Sequence, residues 1–169
     1  MLPEDFRIIP FEERAIPLLE NLLRLYYYDM SEWFGFDTDE TGAFSIDLAP
    51  YLAEGFTIFL AFSGKLPVGF AVVQSAEKTG NPDGFDVKEF FILRKFRRTG
   101  AGHALARHLW DAFPGSWVVR VYGNNRPAIP FWRKTIATYT SDQFKEETRS
   151  LDNGAWVYFF FQNDGLASG

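Results

Sequence analysis

The stretch Phe85-Asp86-Val87-Lys88-Glu89-Phe90-Phe91-Ile92-Leu93, continuing through Arg94-Lys95-Phe96 into Arg97-Arg98-Thr99-Gly100-Ala101-Gly102, decides the fold. The first nine residues read as a strand, being rich in aromatic and aliphatic side chains. From Ala101 to Phe113 the apolar positions Ala104, Leu105, Leu109 and Trp110 recur at helical spacing, and Pro114-Gly115 stops the helix. Between strand and helix lies a glycine turn. Gly100 and Gly102 carry no Cβ to keep a ligand from the backbone, and the free amides of a first helical turn present partial positive charge. With Arg97 and Arg98 alongside, a diphosphate is the natural occupant. A tight turn bearing two surface arginines has the same pattern, so neighbouring elements must decide.

Working outward, Phe6 to Pro10 reads as a short strand, and Glu12 to about Met30 as a helix on the spacing of Ile16, Leu18, Leu19, Leu22, Leu23 and Leu25. Ser31 to Gly42 reads as a loop mixing aromatics with acids. It is either a substrate-facing lid or a local hydrophobic anchor. Thr57–Phe62 and Val68–Val73 are strands joined by the turn 63–67, an antiparallel hairpin. A polar loop with breakers runs from Glu77 to Gly84. Trp117 to Tyr122 is a strand, Pro127 to about Lys134 a short helix, and Ala155 to Gln162 a final aromatic strand. The order β-α-(α)-β-β-β-α-β-α-β-β predicts an α/β fold with a mixed sheet and helices on both faces. One domain over residues 1–162 is expected, with 163–169 a flexible tail.

Composition narrows the function. The 169 residues are 47 % hydrophobic and include nineteen Phe, so a substantial core is available. The net charge of −5 and the lack of a long basic run argue against a nucleic-acid partner. Arg94, Lys95, Arg97 and Arg98 form the one dense positive patch, sized for the phosphates of a small ligand. With no cysteine there is no thiolate metal site and no cysteine nucleophile, and His103 and His108 lack metal-ligand spacing. No signal pattern and no apolar run long enough to span a bilayer appear, which predicts a cytoplasmic protein without membrane contact.

Two other phosphate loops fit poorly. A Walker loop requires Lys-Ser or Lys-Thr after its last glycine, where this chain has His103-Ala104, and the dinucleotide fingerprint requires a third glycine and a later acid. The turn instead resembles the cofactor motif of the GNAT acyltransferase superfamily, Arg/Gln-x-x-Gly-x-Gly/Ala. Asn125-Arg126-Pro127-Ala128-Ile129-Pro130-Phe131-Trp132 is similar to that family's second signature, an Asn three residues before an Ala that opens a helix carrying an aromatic pair.

The resemblance implies a mostly antiparallel mixed sheet flanked by helices, and transfer of an acetyl group from acetyl-CoA to a primary amine of a small molecule or peptide. It implies that backbone groups of Phe91, Ile92 and Leu93 pair with the pantetheine arm. Arg97, Arg98, Thr99, Gly100, Ala101, Gly102 and His103 would hold the pyrophosphate, and Asn125 and Trp132 would border the cofactor. Many family members carry at position 132 a Tyr that protonates the departing thiolate. An indole cannot do so, which leaves Tyr122 or Tyr139 as the nearest phenols and leaves open an inactive acyl-CoA-sensing domain.

A base must also take a proton from an amine that is cationic near neutral pH. Glu89 shares a strand face with Val87 and Phe91 by simple alternation, a costly setting for a charge unless it is functional or paired with Lys or Arg. Asp86 is the second candidate. The acidic run Asp37-Thr38-Asp39-Glu40 either attracts a cationic substrate or is solvated surface. The aromatic final strand would form a homodimer edge if left uncovered.

Overall fold

The computed structural model describes residues 1–77 and 83–163. The elements in chain order are β1 (Phe6–Pro10), α1 (Ile16–Phe34), α2 (Ala49–Leu52), β2 (Phe56–Ser63), β3 (Leu66–Ser75), β4 (Phe85–Ile92), α3 (Ala101–Ala112), β5 (Gly115–Tyr122), α4 (Ala128–Thr140), β6 (Phe144–Leu151) and β7 (Gly154–Asn163). They build one seven-stranded sheet in the order β1-β2-β3-β4-β5-β7-β6. Every neighbouring pair is antiparallel except β4 and β5, which the α3 crossover makes parallel.

The sheet is covered on both faces. On one, α3 buries Ala101, Leu105, Ala106, Leu109 and Trp110, and α4 buries Trp132 and Ile136, against inward residues of β3, β4, β5 and β7. Complete burial of Leu105 and Leu109 contributes about 2 kcal/mol each. On the other face α1 places Leu19, Leu22 and Leu23, and α2 places Tyr51, over Ile58, Leu60, Phe70 and Val72. β3 lies mid-sheet between these layers and is buried on both sides from Val68 to Val73.

Three boundaries differ from the sequence reading. α1 continues through Trp33 and Phe34, which were expected in a loop, and stops at Gly35, whose left-handed backbone (φ 61°) caps the helix. α4 runs six residues beyond Lys134, to Thr140. Asn163, expected in the tail, ends β7, is 3 % exposed, and donates from its side chain to the Trp110 carbonyl. Residues 164–169 and the breakers at 80–82 lie outside the described residues.

The aromatic final strand is not an edge. β7 lies between β5 and β6, and β6 is the outer strand. Lys145, Glu147 and Arg149 form ion pairs along it, a charged rim of the kind that discourages edge pairing. The basis for a β7-mediated homodimer is therefore absent.

Candidate active site

Parallel β4 and β5 are in register only at Phe85–Trp117 and Asp86–Val118. Beyond these pairs the strands part, and their C-terminal ends feed the two turns that the sequence singled out. Ligand sites in open α/β sheets favour such an opening between strand ends.

The edge of β4 facing the gap can be read from its other ladder. Leu93 N–H donates to the Val68 carbonyl at 2.8 Å, and Phe70 stands opposite Phe91. Antiparallel alternation then turns the backbone groups of Phe91 and Leu93 toward β3, and those of Phe90 and Ile92 toward the gap. Of the three residues expected to meet a pantetheine arm, Ile92 alone turns its backbone groups to the gap, and Phe90 is the second gap-facing residue, unforeseen from sequence. The Ile92 carbonyl accepts from Arg97 Nε at 2.9 Å, so its N–H is the group left available.

The glycine turn leaves a run of backbone amides open. Arg98 has left-handed backbone (φ 63°) and Gly100 follows suit (φ 90°). Among the described residues, the amides of Arg98 through His103 have no acceptor within the protein, and no side chain caps α3. Unsatisfied amides at a helix start are groups suited to meeting an anion. Thr99 braces the turn by donating from its hydroxyl to the Phe96 carbonyl at 2.7 Å. Ala101 is fully buried and anchors the helix start. Gly102 serves packing: a Cβ there would stand 3.1 Å from the Phe131 ring, so its absence lets α4 approach α3.

The two arginines have different duties. Arg97 is bound to Asp29 of α1 at 2.6 Å, and Arg94 reaches the same carboxylate at 2.8 Å. Arg98 is exposed and has no partner among the described residues, so it is the cation free to meet an anion. His103 is tied to α4 through Nδ1 and the Thr135 hydroxyl at 2.7 Å, and Thr135 in turn donates to the Phe131 carbonyl. Partial burial, with Lys134 nearby, holds the imidazole below its usual pKa. Asn125 is half-buried in the turn after β5, donating from its backbone to Tyr122 and accepting from Ala128. Trp132 is 6 % exposed in the core beneath the gap, 4.7 Å from the Phe90 ring and 5.0 Å from Phe131.

The carboxylate candidates separate clearly. Asp86 is fully buried, gripped by Arg120 at 2.5 Å and by Gln74 at 2.7 Å. Glu89 has neither Lys nor Arg as an ion-pair partner among the described residues. Its Oε2 accepts from the Tyr26 hydroxyl at 2.6 Å and its Oε1 from Tyr51 at 3.1 Å. Burial raises its proton affinity above the usual carboxylate value, while the two phenols and Lys88 act in the opposite sense.

A register shift in β4 makes this placement possible. Val72 stands opposite Glu89 but Val73 stands opposite Val87, so Lys88 is the extra residue of a bulge. Val87 packs in the α3–α4 layer, whereas Phe91 lies in the α1–α2 layer with Tyr51 and close to Tyr26. Glu89 thus shares a face with Phe91, as alternation predicted, but not with Val87.

α1 spans the parting on this face. Tyr26, Met30 and Phe34 recur every four residues; Tyr26 reaches Glu89 at one end, and Phe34 packs 4.7 Å from Tyr122 and 6.0 Å from Trp156 at the other. Tyr122 accepts from Asn124 at 3.3 Å, which leaves its own proton uncommitted among the described residues. Tyr139, the other phenol considered, donates to Asp111 at 2.8 Å on the opposite face. In the acidic loop, Asp39 is consumed by its own turn, accepting from Thr41 and Ala43.

Tyr26, Tyr51, Asp29 and Arg120 had no sequence signal. Tyr26 and Tyr51 lie 63 and 38 residues from Glu89, and no spacing rule spans such distances.

With this geometry in view, the profile of the acetyltransferase (GNAT) family matches residues 18–136, well over half of the chain. The chain belongs to the GNAT acetyltransferase family. No curated protein matches the sequence. Among solved structures, this GNAT chain is similar in fold to the ribosomal-protein-S18-alanine N-acetyltransferase of Escherichia coli, with TM-score 0.61, 18 % identity and 97 % of each chain covered. It is similar to an acetyltransferase of Thermus thermophilus, with TM-score 0.63, 15 % identity, and 96 % of this chain and 99 % of that one covered. A spermidine N-acetyltransferase of Vibrio cholerae, solved with CoA and spermine, gives TM-score 0.65 at 11 % identity, covering 96 % of this chain and 99 % of that one.

Proposed function

We propose that this GNAT protein transfers an acetyl group from acetyl-CoA to a primary amine of a small molecule or peptide, with Glu89 as general base. The observation that carries this reading is the juxtaposition, across one parting of the sheet, of an amide-lined glycine turn and a carboxylate held by neutral donors alone. The residues present fit the cofactor. The Arg98–His103 amides and the Arg98 guanidinium suit its pyrophosphate, and the gap-facing groups of Phe90 and Ile92 suit an extended amide-bearing arm. The cofactor supplies an acyl group activated as a thioester, open to direct attack by a neutral amine.

The chain's own residues then have two tasks. Glu89 takes the proton from the incoming ammonium, helped by burial that raises its affinity for that proton. Tyr122, half-buried where the strands have parted, is the phenol positioned to protonate the leaving thiolate, a role for which Trp132 has no acidic group. Asp86, committed to Arg120 and Gln74, holds β4, β3 and β5 together where their pairing ends.

Amine acceptors named for the structural neighbours, the alanine of a ribosomal protein and spermidine, support an amine here. The location expected is the cytoplasm; among the described residues no helix is long and apolar enough to cross a membrane. The test is thiol release from acetyl-CoA with a panel of primary amines. Turnover that Glu89→Gln lowers by about 100-fold or more, with acetyl-CoA affinity preserved, supports the reading. Equal turnover by Glu89→Gln removes Glu89 from the mechanism.

A further inference from the structure

Glu89 is held in an unusual way for a half-buried carboxylate. Its two oxygens are met by hydroxyls from two separate elements, Tyr26 from α1 and Tyr51 from α2, at 2.6 and 3.1 Å. A structural carboxylate in a core is ordinarily neutralised by a cation, as Asp86 is by Arg120 three residues earlier on the same strand. Neutral donors supply hydrogen bonds and direction while lowering basicity less than a paired cation would. Each oxygen also keeps a lone pair for a proton arriving from substrate.

We propose that Tyr26 and Tyr51 are positioning residues for Glu89, the pair of phenols fixing the direction in which the carboxylate meets an amine and stabilising its anionic form. This inference rests on the assignment of Glu89 as base and adds to it the groups that make the base competent.

The surroundings of Glu89 support the assignment. From α1 it is faced by Tyr26, whose ring packs at 5.7 Å on Phe91 and at 5.8 Å on Phe70, so the hydroxyl is delivered from a fixed ring. From α2 it is faced by Tyr51, 8 % exposed, with Tyr27 of α1 beside that hydroxyl. On β4 itself the charged neighbours are Lys88, exposed, and Asp86, already paired with Arg120. Across the ladder β3 offers Val72, which carries no charge. α3 and α4 pack on the opposite face. The two phenols are therefore the only neutral side-chain donors opposing burial, among the described residues.

Removing one of them leaves burial less opposed. The proton affinity of Glu89 rises, a smaller fraction of the enzyme carries an ionised base at neutral pH, and activity returns as pH increases. A residue that merely supports the fold would lower activity by a constant factor at all pH values and leave the titration alone. Tyr26 makes the shorter bond and is expected to matter more.

The test compares Tyr26→Phe, Tyr51→Phe and Tyr28→Phe, the last an exposed control on α1, in two measurements. The first is kcat/KM against pH relative to the wild type, with the best amine from the panel. The second is the titration of the Glu89 carboxyl by carbon NMR on protein labelled at glutamate, assigned with Glu89→Gln, which requires no activity. Tyr26→Phe should move the Glu89 titration and the acid limb of kcat/KM upward by about one pH unit or more, the worth of one charge-assisted hydrogen bond. Tyr51→Phe moves both less, KM for acetyl-CoA holds in each, and Tyr28→Phe behaves as wild type. If either variant folds poorly, the other carries the test. A Glu89 titration unmoved in both variants overturns the inference even where Glu89→Gln is inactive. A Glu89→Gln enzyme of full activity overturns the base assignment instead, so the two failures are told apart.

Discussion

The guanidinium of Arg97 lies 2.6 Å from the carboxylate of Asp29, whereas the adjacent Arg98 has no partner among the described residues. Two neighbouring arginines of one motif are thus divided between holding the turn to α1 and facing solvent where an anion would sit. Asp29 is only 12 % exposed and serves both Arg94 and Arg97, so the pairing is better protected than a surface ion pair.

That division predicts opposite phenotypes. Arg98→Ala should weaken CoA binding about tenfold with little change in Tm, because it removes an exposed charge that has no partner among the described residues. Asp29→Asn should lower stability by about 1–2 kcal/mol, since it leaves two arginines unpaired at the base of the turn. Calorimetric titration and thermal melts on both variants separate the effects. Equal loss of affinity in both would show that the turn's position, rather than its charge, governs binding.

Gly100 is the position where backbone and charge can be told apart. At φ 90° any side chain is strained, and Asn tolerates that region better than most. Gly100→Asn should bind CoA more weakly, and Gly100→Asp should abolish binding by placing a carboxylate among the open amides of the turn. The two melts should agree to within about 0.5 kcal/mol. Matching affinities in Asn and Asp variants would contradict an anion site at the turn.

Packing behind the gap gives a prediction independent of chemistry. A Cβ on Gly69 would overlap the Phe91 carbonyl oxygen, which is backbone and cannot swing aside. Gly69→Ala should therefore cost about 2–4 kcal/mol in urea unfolding and disturb β4 next to Glu89. A loss below about 0.5 kcal/mol would show that β3 and β4 can separate locally.

Glu89 also links stability to pH. Its folded pKa is raised by burial, so the folded state holds this proton more tightly than the unfolded chain. The contribution to stability is complete below the ordinary glutamate value and is lost as pH rises through the raised one. Glu89→Gln cannot ionise, so its stability relative to wild type should improve as pH rises above the ordinary glutamate value. Urea melts of both proteins at several pH values measure this. A difference that stays flat, or moves the other way, would mean that the phenols outweigh burial.

Much of the fold could be read from residue patterns. The strand, glycine turn and helix from Phe85 to Phe113 stood out because periodicity changes from two to 3.6 across a marked breaker. The bulge at Lys88 did not, since Val87-Lys88-Glu89 contains neither glycine nor proline and the extra residue shows only against β3. β6 has no clear bounds in the sequence, because Phe144–Leu151 is an outer strand with little to bury. The extent of α1 is hidden by the aromatics at its C-terminal end, where Phe34 packs on Tyr122 and Trp156, distant in sequence, as well as on Phe36 of the loop that follows. For the site, the amide turn was legible as a local feature. The phenols on Glu89 and the Asp29–Arg97 pair were not, because contacts between distant segments leave no mark on spacing.

The central claim is that this GNAT chain uses acetyl-CoA, and calorimetric titration with acetyl-CoA, CoA, ATP and NAD tests it most directly. Binding at micromolar concentration confined to acetyl-CoA and CoA, and lost in Gly100→Asp, is the predicted result. Absence of binding to either CoA species, or equal binding of ATP or NAD, would contradict the account.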